Sequence, residues 1–314
     1  MDGASLASAR PFTKRLIRPP IFTVFIRITR AWFLTAVLLA IAAGSLHAAP
    51  CQDETAVLQN SHLVVATLNM AHGRKDARNQ MFLSEQAIRQ NLLDLGRLLD
   101  RADADMIALQ EADAVSWWSG KFDHVDYLSE NTIYSCTLHG IHASNRIYDF
   151  GTALISKHPL QGGFVHSFKP SKPTTTKGFT LAALNWNPGN TLEEPLQIKF
   201  VSVHLDFSRR SVRRSQIDEM TRVLGSLHGP MVLMGDFNTD WQSEDSSLKY
   251  LAENLGLKVF EPHAEGLSTY GDKGARLDWI LISPELKFRL YAVYPDIVSD
   301  HYAVAAEIEL DTTP

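Results

Sequence analysis

Cysteine is scarce in this sequence. Only Cys51 and Cys136 occur among the 314 residues, so a disulfide-rich scaffold and a zinc site built from four thiolates are both excluded. In an oxidising compartment the two thiols would be able to form one bridge, whereas in a reducing compartment they would stay unpaired. The sequence leaves these two alternatives open.

An excess of basic residues is also missing. Lys and Arg total 30 against 35 Asp and Glu, a formal net charge of −5, which argues against a strongly basic nucleic-acid carrier. The hydrophobic fraction of 45% and the charged fraction of 21% are those of a globular protein. They exclude a mainly disordered, collagenous or polytopic membrane protein. The chain shows no internal repeat and no low-complexity stretch.

One uncharged apolar run stands out at residues 31–43. Arginines precede the run and small residues from Gly44 to Ala49 follow it, which is the pattern of a secretory signal. Residues 1–48 contain six basic residues and one acid, a charge of +5, so the remainder carries −5 − 5 = −10. The run is shorter than the roughly 20 residues that span a bilayer, although residues 31–49 together reach 19.

The sequence therefore predicts a leader over residues 1–49 that is either cleaved as a signal peptide or retained as a membrane anchor. A buried helix of the domain is the remaining alternative. Positive charges before the apolar run favour a body outside the cytoplasm, periplasmic or secreted. Cleavage would leave about 265 residues, a suitable length for one domain.

After a linker at residues 50–62, strand and helix patterns alternate. Strands are predicted over 63–68, 105–109, 151–155, 200–205, 231–234, 277–282 and 303–310, and helices along apolar stripes at 88–99 and 217–227. The segment 161–197, rich in Gly, Pro, Thr and Asn, predicts a hairpin with loops. We expect one α/β (α+β) domain over residues 63–311, with sheets covered by helices.

Polar side chains cluster where these predicted strands begin or end. Taken singly, each has an ordinary explanation as a turn former or a solvated side chain. Strand ends are, however, where α/β proteins gather catalytic groups. The cluster comprises Asn69, Gln110, Glu111, His204, Asp236, Asn238, Asp278, Asp300 and His301.

Three motifs in this set are specific, and they occur in a fixed order. They are Leu109-Gln110-Glu111, Gly235-Asp236-Phe237-Asn238 and Ser299-Asp300-His301. Over about residues 63–311 the sequence resembles the endonuclease/exonuclease/phosphatase superfamily. The resemblance implies a four-layered α/β sandwich, in which two mixed β-sheets are flanked by helices. It also implies hydrolysis of phosphate esters with Mg²⁺, or with Mn²⁺ as the alternative ion.

The resemblance implies a metal site around Glu111 and Asn69, and Asp300 matches a position that supports the metal and its water network. A hard cation prefers such oxygen ligands. The sequence has no cluster of thiolates or histidines that would favour zinc.

Catalytic roles also follow from the resemblance. Asp236 matches the residue that orients or deprotonates the attacking water, and Asn238 would hydrogen-bond the phosphate. His301 matches the residue that stabilises the charge developing on the phosphate. His204 would flank the phosphate as a second histidine, with Asp278 predicted as its carboxylate partner.

Substrate recognition is less determined. Lys177, Arg146 and Arg209 are candidates for contacts with an anionic substrate, and for each a solvated side chain is the alternative. The aromatic segment 114–127 is either a platform that faces the substrate or a lid packed on the sheet.

The sequence thus predicts an exported, metal-dependent phosphoric ester hydrolase, specifically a phosphodiesterase. We expect it to act as a monomer, and the sequence leaves open whether it associates with a membrane. The alternatives are a secreted endonuclease, a sphingomyelinase or phospholipase C-like enzyme, and a non-catalytic binding module of the same fold. The absence of a Gly-x-Ser-x-Gly turn argues against a serine esterase.

Overall fold

The computed structural model describes residues 55–271 and 274–312. The predicted leader over residues 1–49 and Cys51 lie outside these residues. Cys136 is disulfide-bonded. Among the described residues, no helix has the length and apolar character needed to cross a membrane.

The described residues form four α-helices and thirteen strands. The helices are α1 (Glu85–Ala102), α2 (His124–Asn131), α3 (Arg210–Leu224) and α4 (Ser247–Leu255). The strands are β1 (Val57–Leu58), β2 (Leu63–Asn69), β3 (Met106–Asp113), β4 (Cys136–Ser144), β5 (Asp149–Ser156), β6 (Gln161–Ser167), β7 (Gly178–Trp186), β8 (Leu196–His204), β9 (Met231–Asp236), β10 (Lys258–Val259), β11 (Asp278–Ile282), β12 (Leu286–Tyr294) and β13 (Ala303–Leu310).

The strands form two mixed sheets. The first sheet has the order β1-β7-β8-β9-β11-β10, with β6 also paired to β7, and the second has the order β12-β13-β2-β3-β5-β4. The central pairs β8–β9 and β2–β3 are parallel, whereas their outer neighbours β7, β11, β13 and β5 are antiparallel. The carboxyl ends of four central strands therefore lie at one edge of the two-sheet stack.

Strand alternation separates the core into layers, because successive side chains of a strand point to opposite faces. On β2, Val65 packs between the two sheets, and Ala66 and Leu68 pack against α1 and α2. On β8, Phe200 packs between the sheets, and Val201 packs against α3 and α4. The result is helices, sheet, sheet and helices, which confirms the predicted four-layered sandwich.

Local sequence also sets the helix starts. Ser84 begins α1 and accepts a hydrogen bond from the Ala87 backbone N–H, and Asp123 begins α2 by accepting from Val125 and Asp126. Periodicity alone had not predicted α2, α4, β4 or β12. The helix expected to reach residue 227 ends at Leu224.

Candidate active site

A direct hydrogen bond joins the two sheets at their common edge. Asn69, the last residue of β2, donates from Nδ2 to Asp236 Oδ2 over 3.0 Å, and Asp236 is the last residue of β9. The amide Oδ1 of Asn69 accepts from the Ala71 backbone N–H at 3.0 Å. Both side chains are buried, so the bond fixes one sheet against the other.

Glu111 projects into the site because β3 is irregular at that residue. The register of β3 on β5 shifts between Gln110 and Ala112, and Glu111 has a positive φ of 49°. A bulge of this kind redirects one side chain out of the strand alternation, and an uncommon φ is frequent at functional sites. The carboxylate remains 20% exposed, between Lys177 Nζ at 3.7 Å and His72 Nε2 at 3.3 Å.

Lys177, His204 and Asp236 form a buried row. Lys177 lies just before β7, and its Nζ is 3.2 Å from His204 Nδ1. An ammonium can only donate, so we assign His204 Nδ1 as the acceptor and place the ring proton on Nε2. That nitrogen lies 3.4 Å from Asp236 Oδ2. The solvated-lysine alternative is therefore wrong, because Lys177 is only 5% exposed.

Asp278 pairs with His301 and not with His204, which corrects the predicted pairing. Its Oδ2 accepts from His301 Nδ1 at 2.8 Å and from Thr269 Oγ1 at 2.7 Å. The pairing depends on antiparallel β11, which sets Asp278 opposite Asp236. His301 Nε2 lies 3.9 Å from Asp236 Oδ2, so both histidines face the same carboxylate.

Burial and neighbouring charges set the protonation of this pair. Burial opposes a charged imidazole, but the carboxylates of Asp278 and Asp236 raise the pKa of His301 to about 10. Burial, reinforced by the nearby Asp278, raises the pKa of Asp236 above its usual range. His301 is therefore a cation at neutral pH, and Asp236 beside it accepts a proton more readily than an ordinary aspartate.

The pKa values of three other titratable groups at the site are shifted downward. Burial and the adjacent Lys177 hold the pKa of His204 well below its usual value, so its imidazole is neutral. Burial lowers the pKa of Lys177, although Glu111 opposes that effect. Burial would raise the pKa of Glu111, but His72 and Lys177 lower it overall. Glu111 is thus held as a carboxylate.

The segment after β9 is held by tight backbone geometry. Asn238 has a φ of 51°, donates its Nδ2 to the Leu205 carbonyl at 3.0 Å, and gives its N–H to Asp236 Oδ1 at 2.9 Å. Gly235 has a φ of 149°, and a Cβ there would lie 2.0 Å from the Val203 carbonyl oxygen. Only glycine lets β9 approach β8 this closely.

Three predicted residues lie elsewhere or are already engaged. Asp300 forms an ion pair with Arg74 at 2.5 Å and so joins two loops; its role at the metal stays a prediction. Arg209 donates to the carbonyls of Ser171 and Lys172, so it holds the loop before β7. Arg146 is exposed in the β4–β5 turn.

His72 and Asp113 belong to the site, although no motif indicated them. Asp113 Oδ2 lies 2.7 Å from His72 Nδ1, and Asp113 Oδ1 accepts from Trp118 Nε1 at 2.7 Å. His72 has a φ of 55° and contacts Glu111 on its other ring nitrogen. Because Asp113 holds the His72 ring in place and the ring faces Glu111, His72 restricts the orientation of the Glu111 carboxylate. The sequence signal was weak, since His72 follows a strand in an ordinary Gly-containing turn.

The donor atoms fit a hard divalent cation at Glu111 and Asn69. Glu111 is anionic and partly exposed, and Asn69 Oδ1 keeps a second lone pair beside the one that accepts from the Ala71 N–H. Mg²⁺ or Mn²⁺ usually takes one or two carboxylates with several waters. A second group, Asp236, Asp278 and His301, has its ligand atoms within 4.8 Å of one another. The charged His301 imidazole donates to Asp278 and has no free lone pair there, which disfavours a metal at that group.

Solved structures similar to this chain share its fold. A solved endonuclease/exonuclease/phosphatase family protein of Leptotrichia buccalis is 21% identical with a TM-score of 0.57, covering 79% of this chain and 100% of its own. One from Bacteroides vulgatus is 15% identical with a TM-score of 0.63, covering 80% and 99%. A mannosyl-6-phosphatase of Bacteroides thetaiotaomicron is 16% identical with a TM-score of 0.55, covering 78% and 99%.

At these identities the solved structures show a shared fold. A search of curated protein sequences returns no match. The family model described as Endonuclease/Exonuclease/phosphatase family matches residues 66–301, which is most of the chain and includes every motif at the site. The chain belongs to the endonuclease/exonuclease/phosphatase family.

Proposed function

We propose that the protein is a Mg²⁺-dependent hydrolase of phosphate esters, a phosphodiesterase, with Mn²⁺ as an alternative ion. One observation carries the proposal. His204 Nε2 at 3.4 Å and His301 Nε2 at 3.9 Å flank the same buried Asp236 carboxyl group. The pKa of His301 is raised by Asp278, whereas burial and Lys177 lower that of His204. Attack of water on a phosphate needs both a proton acceptor and a cationic site for the developing negative charge.

Glu111 and Asn69 would hold the ion. When bound, a divalent cation supplies Lewis-acid stabilisation of a phosphoryl oxygen and lowers the pKa of coordinated water. The residues themselves prepare this site, since Lys177 and His72 keep Glu111 ionised.

The remaining steps fall to the buried side chains. Asp236, oriented by Asn69 and the Asn238 backbone N–H, accepts the proton of the attacking water at its carboxylate. His301, fixed by Asp278, presents its Nε2–H to a phosphate oxygen. Lys177 adds a second positive charge from the His204 side. Preorganised charges of this kind cost no reorganisation during the reaction.

The test uses bis-p-nitrophenyl phosphate with the purified protein. We expect release of nitrophenolate with Mg²⁺ or Mn²⁺ and its loss in EDTA, restored by added Mg²⁺. Activity that survives chelation would reject the metal assignment. Absence of hydrolysis across plasmid DNA, RNA, phospholipids, sphingomyelin and sugar or inositol phosphates would support the alternative of a binding module.

We also propose export. The arginines before the apolar run and the small residues after it support a processed N-terminus between about residues 45 and 51. N-terminal sequencing of the native protein tests this, and recovery of intact Met1 in extracted membranes would favour the anchor.

A further inference from the structure

Exposed apolar side chains concentrate on one surface. Among the described residues, eleven large hydrophobic side chains are exposed, and five of them come from three neighbouring loops. We call these five the apolar rim. They are Met81, Phe82, Val115, Trp117 and Ile147, exposed by 48%, 85%, 64%, 58% and 44%. An exposed apolar group of this kind on a water-soluble domain usually marks an interaction site.

The second loop adjoins each of the other two. The Trp118 backbone N–H donates to the Ile147 carbonyl at 3.2 Å, which joins the second loop to the β4–β5 turn. Met81 and Trp117 line the same cleft, which joins the first loop to the second. The three loops are therefore contiguous through the second loop.

The rim adjoins the proposed catalytic site. The His72 ring, which contacts Glu111 at 3.3 Å, packs on Trp118 with ring centroids 4.9 Å apart. Trp118 is the chain neighbour of rim residue Trp117. The side chains of Trp118 and His72 would thus separate Glu111 from a surface docked on the rim.

Each rim loop also carries an exposed cation. Arg78 precedes Met81, Lys121 follows Trp117, and Arg146 precedes Ile147. Within the described part of the chain none of these three cations makes an ion pair, whereas the nearby Glu85 is paired with Arg89. The body has a charge of −5 − 5 = −10, so the positive charge on the rim is local.

We propose that the apolar rim docks the protein on a phospholipid surface. Apolar and aromatic side chains enter the boundary between headgroups and acyl chains, and flanking Lys and Arg meet the lipid phosphates. Tryptophan is enriched at that depth in membranes. The three loops each bring a cation beside apolar residues, a combination that suits lipid phosphates over an apolar layer.

The experiment uses the full chain with phosphatidylcholine vesicles whose acyl chains are brominated. The difference in fluorescence between the native protein and Trp117→Phe isolates the emission of Trp117. We expect the vesicles to quench that emission and to protect it from aqueous acrylamide. A leader embedded in the vesicle would tether both proteins equally and would not bring Trp117 to this depth.

Vesicle sedimentation supplies the second measurement. Phe82→Ala should lower vesicle affinity about tenfold, since one large apolar side chain leaves the lipid. Leu290→Ala is the matched control, because Leu290 is 61% exposed on β12, and its affinity should be unchanged. Equal affinities for the native and Phe82→Ala proteins, with Trp117 unquenched, would overturn the proposal. A rim occupied by a protein partner would give that result. Neither measurement needs a substrate, so the outcome is independent of the proposed hydrolysis.

Discussion

Replacement of Asp278 by asparagine tests the protonation state of His301. The substitution keeps the shape of the side chain and removes the charge that His301 Nδ1 faces at 2.8 Å. Asp278 is the largest contribution that raises the pKa of His301 to about 10, against the opposing effect of burial. Without that carboxylate, we expect the pKa of His301 to fall towards its ordinary value of 6.5, because only Asp236 and Asp300 then oppose the effect of burial.

The magnitude follows from the titration. At pH 7.5 a group of pKa near 10 is almost fully protonated, whereas one at or below its ordinary value is protonated in about one molecule in ten or fewer. Protonation alone then costs about tenfold in rate. Loss of the fixed orientation of the His301 ring lowers the rate by a further factor of roughly 10²–10³. The total of about 10³–10⁴ corresponds to about 4–5.5 kcal/mol in the barrier.

The assay is the pH-rate profile with bis-p-nitrophenyl phosphate at saturating Mg²⁺, combined with an NMR titration of His301. In the NMR titration of the Asp278→Asn protein, His301 should lose its proton at a lower pH than in the native protein, because the carboxylate that stabilised the imidazolium is gone. Asp218→Asn is the matched control, since Asp218 lies exposed on α3. A turnover within about threefold of the native protein at pH 7.5, or an unchanged pKa of His301, would refute the reasoning.

The other predictions concern four single positions. Asp236→Asn should lower turnover by about 10²–10⁴ without change in Mn²⁺ affinity, and near-native turnover would remove Asp236 from the mechanism. His72→Asn should weaken Mn²⁺ binding about tenfold in calorimetry, and an unchanged Kd would reject its positioning of Glu111. Asp105 is buried and hydrogen-bonded, and its pKa is lowered in the folded protein. Its carboxylate therefore stabilises the fold above the pKa it has in the unfolded chain, and this stabilisation is lost as the pH falls through the pKa in the folded state. Asp105→Asn should cost about 1–3 kcal/mol of unfolding free energy at pH 7, with the difference shrinking in acid, as denaturant titrations would reveal. Gly235→Ala should cost about 3 kcal/mol or more, and a native melting curve would contradict the close approach of β8 and β9.

The sequence predicted the layers well because they depend on local alternation. The apolar periods of β2, β8 and α1 each specify a buried face within a single segment, and the four-layered arrangement follows from those faces. The strand-end position of Asn69 and Asp236 follows in the same way.

The pairings inside the site depend on contacts between distant segments. The sequence pairs Asp278 with the wrong histidine, because the register of β11 on β9 and the position of Thr269 decide its partner. Lys177, just before β7, is buried because its ammonium contacts Glu111 of β3 and His204 of β8. His72 joins the site through an uncommon backbone conformation that side-chain patterns do not encode.

The hydrogen bond from Asn69 to Asp236 crosses from one sheet to the other, so neither sheet contains a complete set of catalytic groups. A partly folded molecule with one finished sheet would therefore be inactive, however native its secondary structure. During refolding, the return of activity should follow the docking of the two sheets and lag behind the return of far-ultraviolet circular dichroism. Turnover measured during refolding therefore reports when the two sheets dock.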